Sequence, residues 1–133
     1  MGDPYNNPFI FNSEFDVQSL RELYGGDYAY IQEVFTTVLD EYEALSSNVL
    51  SAHQDGNMFA LKTAVHKIKP VFGFVGLSDV QQQCQQFEGM CMTVTSTATL
   101  EEAFAALEQN LIRCRRLIED ERKRLDSFNH QRA

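Results

Sequence analysis

The chain has 133 residues, of which 44% are hydrophobic and 23% are charged, and its formal net charge is −8. This length fits one domain, and the composition is typical of a globular protein whose core needs no disulfide or metal. The acidic balance argues against nucleic acid as the main partner, because a phosphate backbone binds basic surfaces. The three cysteines are an odd number without paired spacing, which favours reduced, buried thiols in a cytoplasmic protein.

Nothing in the sequence predicts a membrane partner. The longest apolar runs are too short to span a bilayer. The first eight residues lack a basic segment followed by an apolar one, so they are not typical of a signal peptide. We therefore expect a cytoplasmic protein. Neither a Gly-rich phosphate loop nor an HExxH or EF-hand pattern occurs, so no nucleotide or metal site is predicted.

The N-terminal part of the chain predicts an irregular arm followed by a short helix. Residues 1–12 are rich in Pro, Asn and Gly, which favours irregular structure. A short helix is predicted from Asp16 to Tyr24, and Gly25-Gly26 ends it. Asp27 is a candidate N-cap for the next helix. Four apolar residues are expected to anchor the arm on the body of the protein: Phe9, Ile10, Phe11 and Phe15.

Four long amphipathic helices are predicted after the arm, because apolar residues recur at helical spacing. Connections of about 3 to 8 residues favour antiparallel neighbours. The sequence thus predicts an all-α, antiparallel up-down-up-down four-helix bundle with the short N-terminal helix capping one end. The domain prediction is an arm at 1–12, a bundle at 13–128 and a C-terminal tail at 129–133. The predicted helices run from Tyr28 to Ala52, from Met58 to Val75, from Ser78 to a polar connection at 93–98, and from Thr99 to about Phe128.

The helix predicted from Met58 to Val75 presents a histidine to solvent. Its apolar residues cluster within roughly 60° of one direction, and His66 projects to the opposite side. Lys62, Lys69 and Gly73 lie close to His66 in angle. The helix therefore offers an imidazole beside two ammonium groups and a bare patch of backbone. Lysines in an otherwise acidic half of the chain suit a small anion such as a phosphoryl group, although a solvated helix face is the alternative interpretation.

This surface has the groups that phosphoryl transfer needs. A neutral imidazole can attack phosphorus through a ring nitrogen, and the transfer depends on positioning and charge neutralisation. Lys69, one turn from His66, could balance the phosphoryl oxygens. Phe59 lies within roughly 20° of His66 and outside the predicted core, as a docking anchor would. Gly73 would let another protein approach closely. An ordinary exposed histidine remains the alternative.

These residues resemble the histidine-containing phosphotransfer (HPt) family of multistep phosphorelays. The family pattern is His-x-Leu-Lys-Gly, with a further glycine ten residues after the histidine. Here His66-Lys67-Ile68-Lys69 matches, and Gly76 stands at the expected place. Downstream, Leu77 to Glu88 looks like the family's next helix. The resemblance covers about Val17 to Arg122.

The resemblance implies a role for three residues. His66 would be the phosphoacceptor and Lys69 would support the phosphoryl group. Glu88 would orient the imidazole and leave its outer nitrogen free, although an ordinary surface acid is the alternative for this position. The family's glycine directly after the lysine is replaced here by Pro70. The residues expected to contact a partner are Phe59, Lys62, Thr63, Pro70 and Gly73.

By this resemblance the chain is a phosphocarrier rather than an enzyme. It would relay a phosphoryl group between the aspartates of response-regulator receiver domains, in a pathway that begins at a hybrid sensor histidine kinase. A monomer is expected, with no cofactor of its own and with Mg²⁺ supplied by the receiver. Two alternatives stay open. One is an HPt-like adaptor that docks receivers or kinases without carrying phosphate, and the other is a scaffolding bundle in which His66 is incidental.

Overall fold

The computed structural model of this chain describes residues 8–93 and 97–132. Over these residues the protein is helical, with five α-helices and no strand. The all-α class predicted from the sequence is confirmed. The helices are α1 (Val17–Tyr24), α2 (Tyr28–Gln54), α3 (Met58–Phe74), α4 (Ser78–Thr93) and α5 (Thr97–Arg132).

Short polar residues fix where the first three helices begin. The first backbone N–H groups of a helix have no acceptor within the helix. Each N-cap side chain accepts a hydrogen bond from one of them. The predicted cap Asp27 accepts from Tyr30, at 3.1 Å. The other two caps are Asp16, which accepts from Ser19, and Asn57, which accepts from Ala60.

Each of the four longer helices packs against two of the other three. Helix α2 contacts α3 and α5, and α4 also contacts α3 and α5. Helices α2 and α5 run in opposite directions, because early residues of α2 meet late residues of α5. The Tyr42 hydroxyl donates to the carbonyl of Leu111 at 2.6 Å, whereas His53, further along α2, bonds Glu101, nearer the start of α5.

The core-facing side of α3 is the one that the sequence predicts. Ile68, at the centre of this face, has no exposed surface. His66, on the other side, is exposed. Burial of this face orients the helix, so the position of His66 follows from the apolar spacing. The buried residues of α3 are Leu61, Ala64, Val65, Ile68, Val71 and Phe72.

The described part of the N-terminal arm packs on the body through aromatic rings. Phe9, Phe11 and Phe15 are buried, as predicted. The prediction for Ile10 is wrong, because its side chain is 75% exposed. The two rings on either side of Ile10 face the core, and an extended chain turns successive side chains to opposite sides. Residues 1–7 of the predicted arm lie outside the described residues.

A charged clamp holds the arm on α5. The carboxylate of Glu121 is buried and accepts hydrogen bonds from the Asn12 backbone N–H, at 2.6 Å, and from Arg124. The guanidinium of Arg124 also donates to the Ile10 carbonyl and lies over the ring of Phe9. The arm is thus fixed by backbone hydrogen bonds as well as by apolar contact.

The last helix is longer than predicted. Helix α5 continues to Arg132, so residues 129–132 are helical and do not form the predicted tail. Asn129 stabilises this end, because its side-chain amide donates to the Tyr28 carbonyl and to the Gln32 side chain. Of the predicted connection at 93–98, residues 94–96 lie outside the described residues.

Gly76 joins α3 to α4 in a conformation that requires glycine. Its φ is +74°, and a Cβ at this position would lie 2.7 Å from Cγ of the buried Leu20. Its carbonyl also accepts a hydrogen bond from the Asp16 backbone N–H at 2.7 Å. The glycine ten residues after His66 is therefore needed for close packing of α1 against the end of α3.

We expect Gly76→Ala to destabilise the fold far more than the matched variant Gly56→Ala. Both glycines have positive φ, but no atom lies within 4 Å of a Cβ at Gly56. The left-handed conformation should cost each variant about 1–2 kcal/mol of unfolding free energy. The clash with Leu20 should cost Gly76→Ala about 1–3 kcal/mol more. Urea denaturation of the two variants measures the difference, and equal losses would contradict the packing role of Gly76.

Candidate functional site

His66 lies in the middle of α3 with its ring directed away from the core. Its side chain is 67% exposed, and Nδ1 lies 2.8 Å from Oε1 of Glu88 on α4. An ionised carboxylate can only accept a hydrogen bond, so Nδ1 carries the proton in this contact. In the neutral ring the lone pair is then on Nε2.

Glu88 is an acid buried where two helices meet. It is 8% exposed, although it belongs to a helix whose outer face is polar. Burial by itself raises the pKa of Glu88, but the contacts and charges of Lys69 and His66 outweigh burial and hold it below its ordinary value of 4.5. The carboxylate is therefore ionised at neutral pH.

Lys69 is engaged with α4 rather than free in solution. Its side chain is 18% exposed, and Nζ lies 2.8 Å from Oε2 of Glu88 as an ion pair. Nζ also donates a hydrogen bond to Oε1 of Gln85 at 2.8 Å. The sequence places Lys69 correctly on the His66 side of α3, but it does not predict that the ammonium is already bound. Gln85 was missed, because helical periodicity does not specify which α4 residue meets Lys69.

The residues expected to contact a partner differ in exposure. Phe59 is 79% exposed, as predicted, and with Thr63 and Lys67 it lines an open groove between α2 and α3. Thr63 is half-buried, and its hydroxyl donates to the Phe59 carbonyl at 2.9 Å. Lys62 is also half-buried. The lining of the groove therefore combines an exposed ring with a hydroxyl and an ammonium group.

The structure changes the interpretation of Gly73. A Cβ at this position would lie 2.7 Å from Nε2 of Gln81, so the absence of a side chain makes room for the Gln81 amide of α4. Gly73 is half-buried, and its contact with another protein stays a prediction. Pro70 is exposed, and α3 continues through it to Phe74. Since proline has no N–H, the His66 carbonyl loses its usual intrahelical donor.

An aromatic group that the sequence analysis missed lies beyond the C-terminal side of His66. Phe74 is 52% exposed and Tyr30 is 50% exposed. The Tyr24 hydroxyl donates to the Phe74 carbonyl at 2.7 Å, and its ring lies 5.7 Å from that of Tyr30. Phe74 is the last residue of α3. Its position at the edge of the buried apolar stripe was the feature of the sequence that could have predicted an exposed ring.

The arrangement can support an attack by Nε2 on an electrophile brought from outside. Nδ1 is held by a carboxylate, which fixes the tautomer and can stabilise positive charge on the ring. An ammonium is held on the same carboxylate. Within residues 8–93 and 97–132, no three His, Cys, Asp or Glu side chains are grouped so that they could hold a metal ion. None of the helices described there is long and apolar enough to cross a membrane.

We expect Glu88→Gln to lower stability at neutral pH and to make stability less sensitive to acid. Since the pKa of Glu88 is lowered in the folded protein, its contribution is present above the ordinary carboxyl range and is lost as pH falls through the folded-state pKa. The difference in unfolding free energy between wild type and Glu88→Gln should thus shrink as the pH falls below 4.5, the ordinary value for a glutamate. Urea denaturation at pH 7 and pH 3 measures it. A difference that stays constant, or that matches exposed Glu33→Gln, would contradict this account.

Comparison with known proteins identifies the family of the chain. The family model for the Hpt domain matches residues 29–127. No curated protein and no solved structure gives a significant match. The matched region covers most of the chain and includes His66, Lys69 and Glu88. The chain therefore belongs to the Hpt domain family, the histidine-containing phosphotransfer family that its sequence resembles.

Proposed function

We propose that this chain is a histidine phosphotransfer protein and that His66 carries the phosphoryl group between receiver aspartates. The observation that carries the proposal is the pairing of an exposed imidazole with a buried carboxylate at Nδ1, which leaves Nε2 as the free nucleophile. Membership of the Hpt domain family supports phosphotransfer in a two-component phosphorelay, with receiver and kinase domains as partners.

The proposed step exchanges one phosphorus bond for another. Nε2 of His66 attacks the phosphorus of an aspartyl phosphate on the receiver, the O–P bond breaks, and the aspartate carboxylate is regenerated. Nδ1 keeps its proton, so the phosphorylated ring is cationic and Glu88 stabilises it. The reverse exchange passes the group to the aspartate of a second receiver. Mg²⁺ would be held by the receiver, and the chain needs no ATP site of its own for this role.

Charge and exposed rings support docking of an acidic receiver site around His66. Lys62, Lys67 and Lys69 surround the histidine in a chain of net charge −8. Phe59 precedes His66 by seven residues and Phe74 follows it by eight, which is about 10–12 Å along a helix axis in either direction. Two exposed rings flanking a nucleophile are suitable anchors for a protein partner.

The proposed scaffold is a monomeric, cytoplasmic four-helix bundle of up-down-up-down order. The opposed pairing of α2 with α5 supports this order. Helices α3 and α4 are also opposed, since Lys69 meets Gln85 whereas the earlier His66 meets the later Glu88.

Pro70 supports a second candidate, an adaptor that docks receivers or kinases without accepting phosphate. The family glycine at this position is replaced by an exposed ring that cannot approach a partner as closely. This candidate requires receiver binding that survives loss of His66.

We expect phosphorylated receivers with Mg²⁺ to label wild type but not His66→Gln. The label should be acid-labile and base-stable, because it is a phosphoramidate at nitrogen. His130→Gln is the matched control, since it removes an exposed histidine on α5, away from Glu88. A label that persists on His66→Gln would contradict the proposal. Binding without any label on wild type would favour the adaptor.

We expect Lys69→Ala to slow phosphoryl transfer at His66 by about tenfold or more, because a hydrogen bond to a charged group is worth about 1.5–3 kcal/mol. It should also lower the free energy of unfolding, since buried Glu88 would lose its cation. Single-turnover transfer rates measured alongside thermal unfolding separate the two effects. Lys67→Ala, at an exposed lysine of the same helix, is the control. Transfer rates equal to wild type would remove the role of Lys69.

A further inference from the structure

Lys69 is held on one side of the His66 ring, and the proposed phosphoryl group would be on the other. Its ammonium contacts Glu88, the acid that bonds Nδ1. Nε2 lies across the ring from Nδ1. To neutralise oxygens on Nε2, the ammonium must therefore loosen its contacts with α4.

Two α4 residues hold the ammonium, and they do so differently. Oε2 of Glu88 lies at ion-pair distance, and the directional hydrogen bond from Nζ goes to Oε1 of Gln85. Glu88 also binds the imidazole, so its loss would disturb the nucleophile itself. Gln85 is an exposed residue whose amide meets Lys69, one turn from Glu88 on the same helix. Gln85 can thus act on Lys69 without touching His66 or the core.

We propose that Gln85 is a positioning residue that retains Lys69 on α4 and thereby sets the equilibrium between phosphohistidine and phosphoaspartate. This inference rests on the proposed function of His66. The bond from Lys69 to Gln85 stabilises the unphosphorylated protein, and it must be given up when the ammonium turns to the phosphoryl oxygens. A stronger acceptor at this position favours release of the phosphoryl group to a receiver, and a weaker one favours its retention on His66.

Two substitutions at the same position should have opposite effects. Gln85→Leu keeps much of the side-chain volume but removes the acceptor, so the equilibrium should shift toward phosphohistidine by roughly 3- to 10-fold, which corresponds to the net free energy of a typical solvent-exposed hydrogen bond. Gln85→Glu replaces the amide by a carboxylate and should shift it toward phosphoaspartate. The ratio of the two phosphorylated proteins at equilibrium, with one receiver and Mg²⁺, measures both shifts.

Partner-independent loading gives a second readout. When phosphoramidate transfers its phosphoryl group to the imidazole nitrogen, its own P–N bond breaks and ammonia is released. It can therefore phosphorylate wild type and variants without a receiver. Phosphorus NMR then follows the phosphohistidine signal and its hydrolysis. Retention of Lys69 near the phosphoryl group should change its environment in Gln85→Leu, and His66→Gln should lack the signal.

Matched controls separate positioning from charge and from helix stability. Gln86→Leu and Gln86→Glu make the same changes at the next exposed glutamine of α4 and should leave the equilibrium close to that of wild type. In a Lys69→Ala background the effect of Gln85→Leu should disappear, because the group that it positions is gone. A merely structural role for Gln85 would persist in that background.

The outcomes are distinguishable. Opposite shifts for the two Gln85 variants that depend on Lys69 support the inference. Unchanged equilibria, or shifts that survive Lys69→Ala, overturn it while the role of His66 stands. If wild type accepts no phosphoryl group from receivers or from phosphoramidate, the proposed function fails, and this inference fails with it.

Discussion

The buried carboxylate of Glu88 is the interaction on which the site depends. A charged group taken out of water is unfavourable unless partners satisfy it. Here α3 supplies an ammonium from Lys69 and an N–H from His66, both at 2.8 Å. These contacts require α3 and α4 to pack in one register. The same register brings Gly73 against the side-chain amide of Gln81. Stability and chemistry therefore share one interface.

Much of the fold was predictable from the sequence because it depends on local signals. The apolar spacing of α3 orients Ile68 inward and His66 outward, and capping residues such as Asp27 mark helix starts. Glu88 was assigned through family resemblance, because its contact with His66 joins residues on separate helices. Gln85 was missed for the same reason, because its contact with Lys69 joins α4 to α3. Periodicity states which face of a helix is buried, but it does not state which residues meet across the interface.

Errors at the chain ends have a related cause. Apolar character alone placed Ile10 inside, whereas an extended segment turns alternate side chains outward. The C-terminal residues of α5 read as a polar tail, yet Asn129 ties them to the start of α2. At Gly76 the resemblance located a glycine, and only the contact with Leu20 gives the physical reason for it.

The contacts that hold the N-terminal arm on α5 imply that the folding unit is larger than the region by which the family is recognised. The family match begins at residue 29, whereas the rings of Phe9, Phe11 and Phe15 are part of the same buried cluster as the long helices. The buried acid of α5, Glu121, has its backbone donor on the arm. A fragment cut at the family boundary would expose this cluster to water and leave an acid without that donor. In this member of the family, the residues before the matched segment thus complete the hydrophobic core.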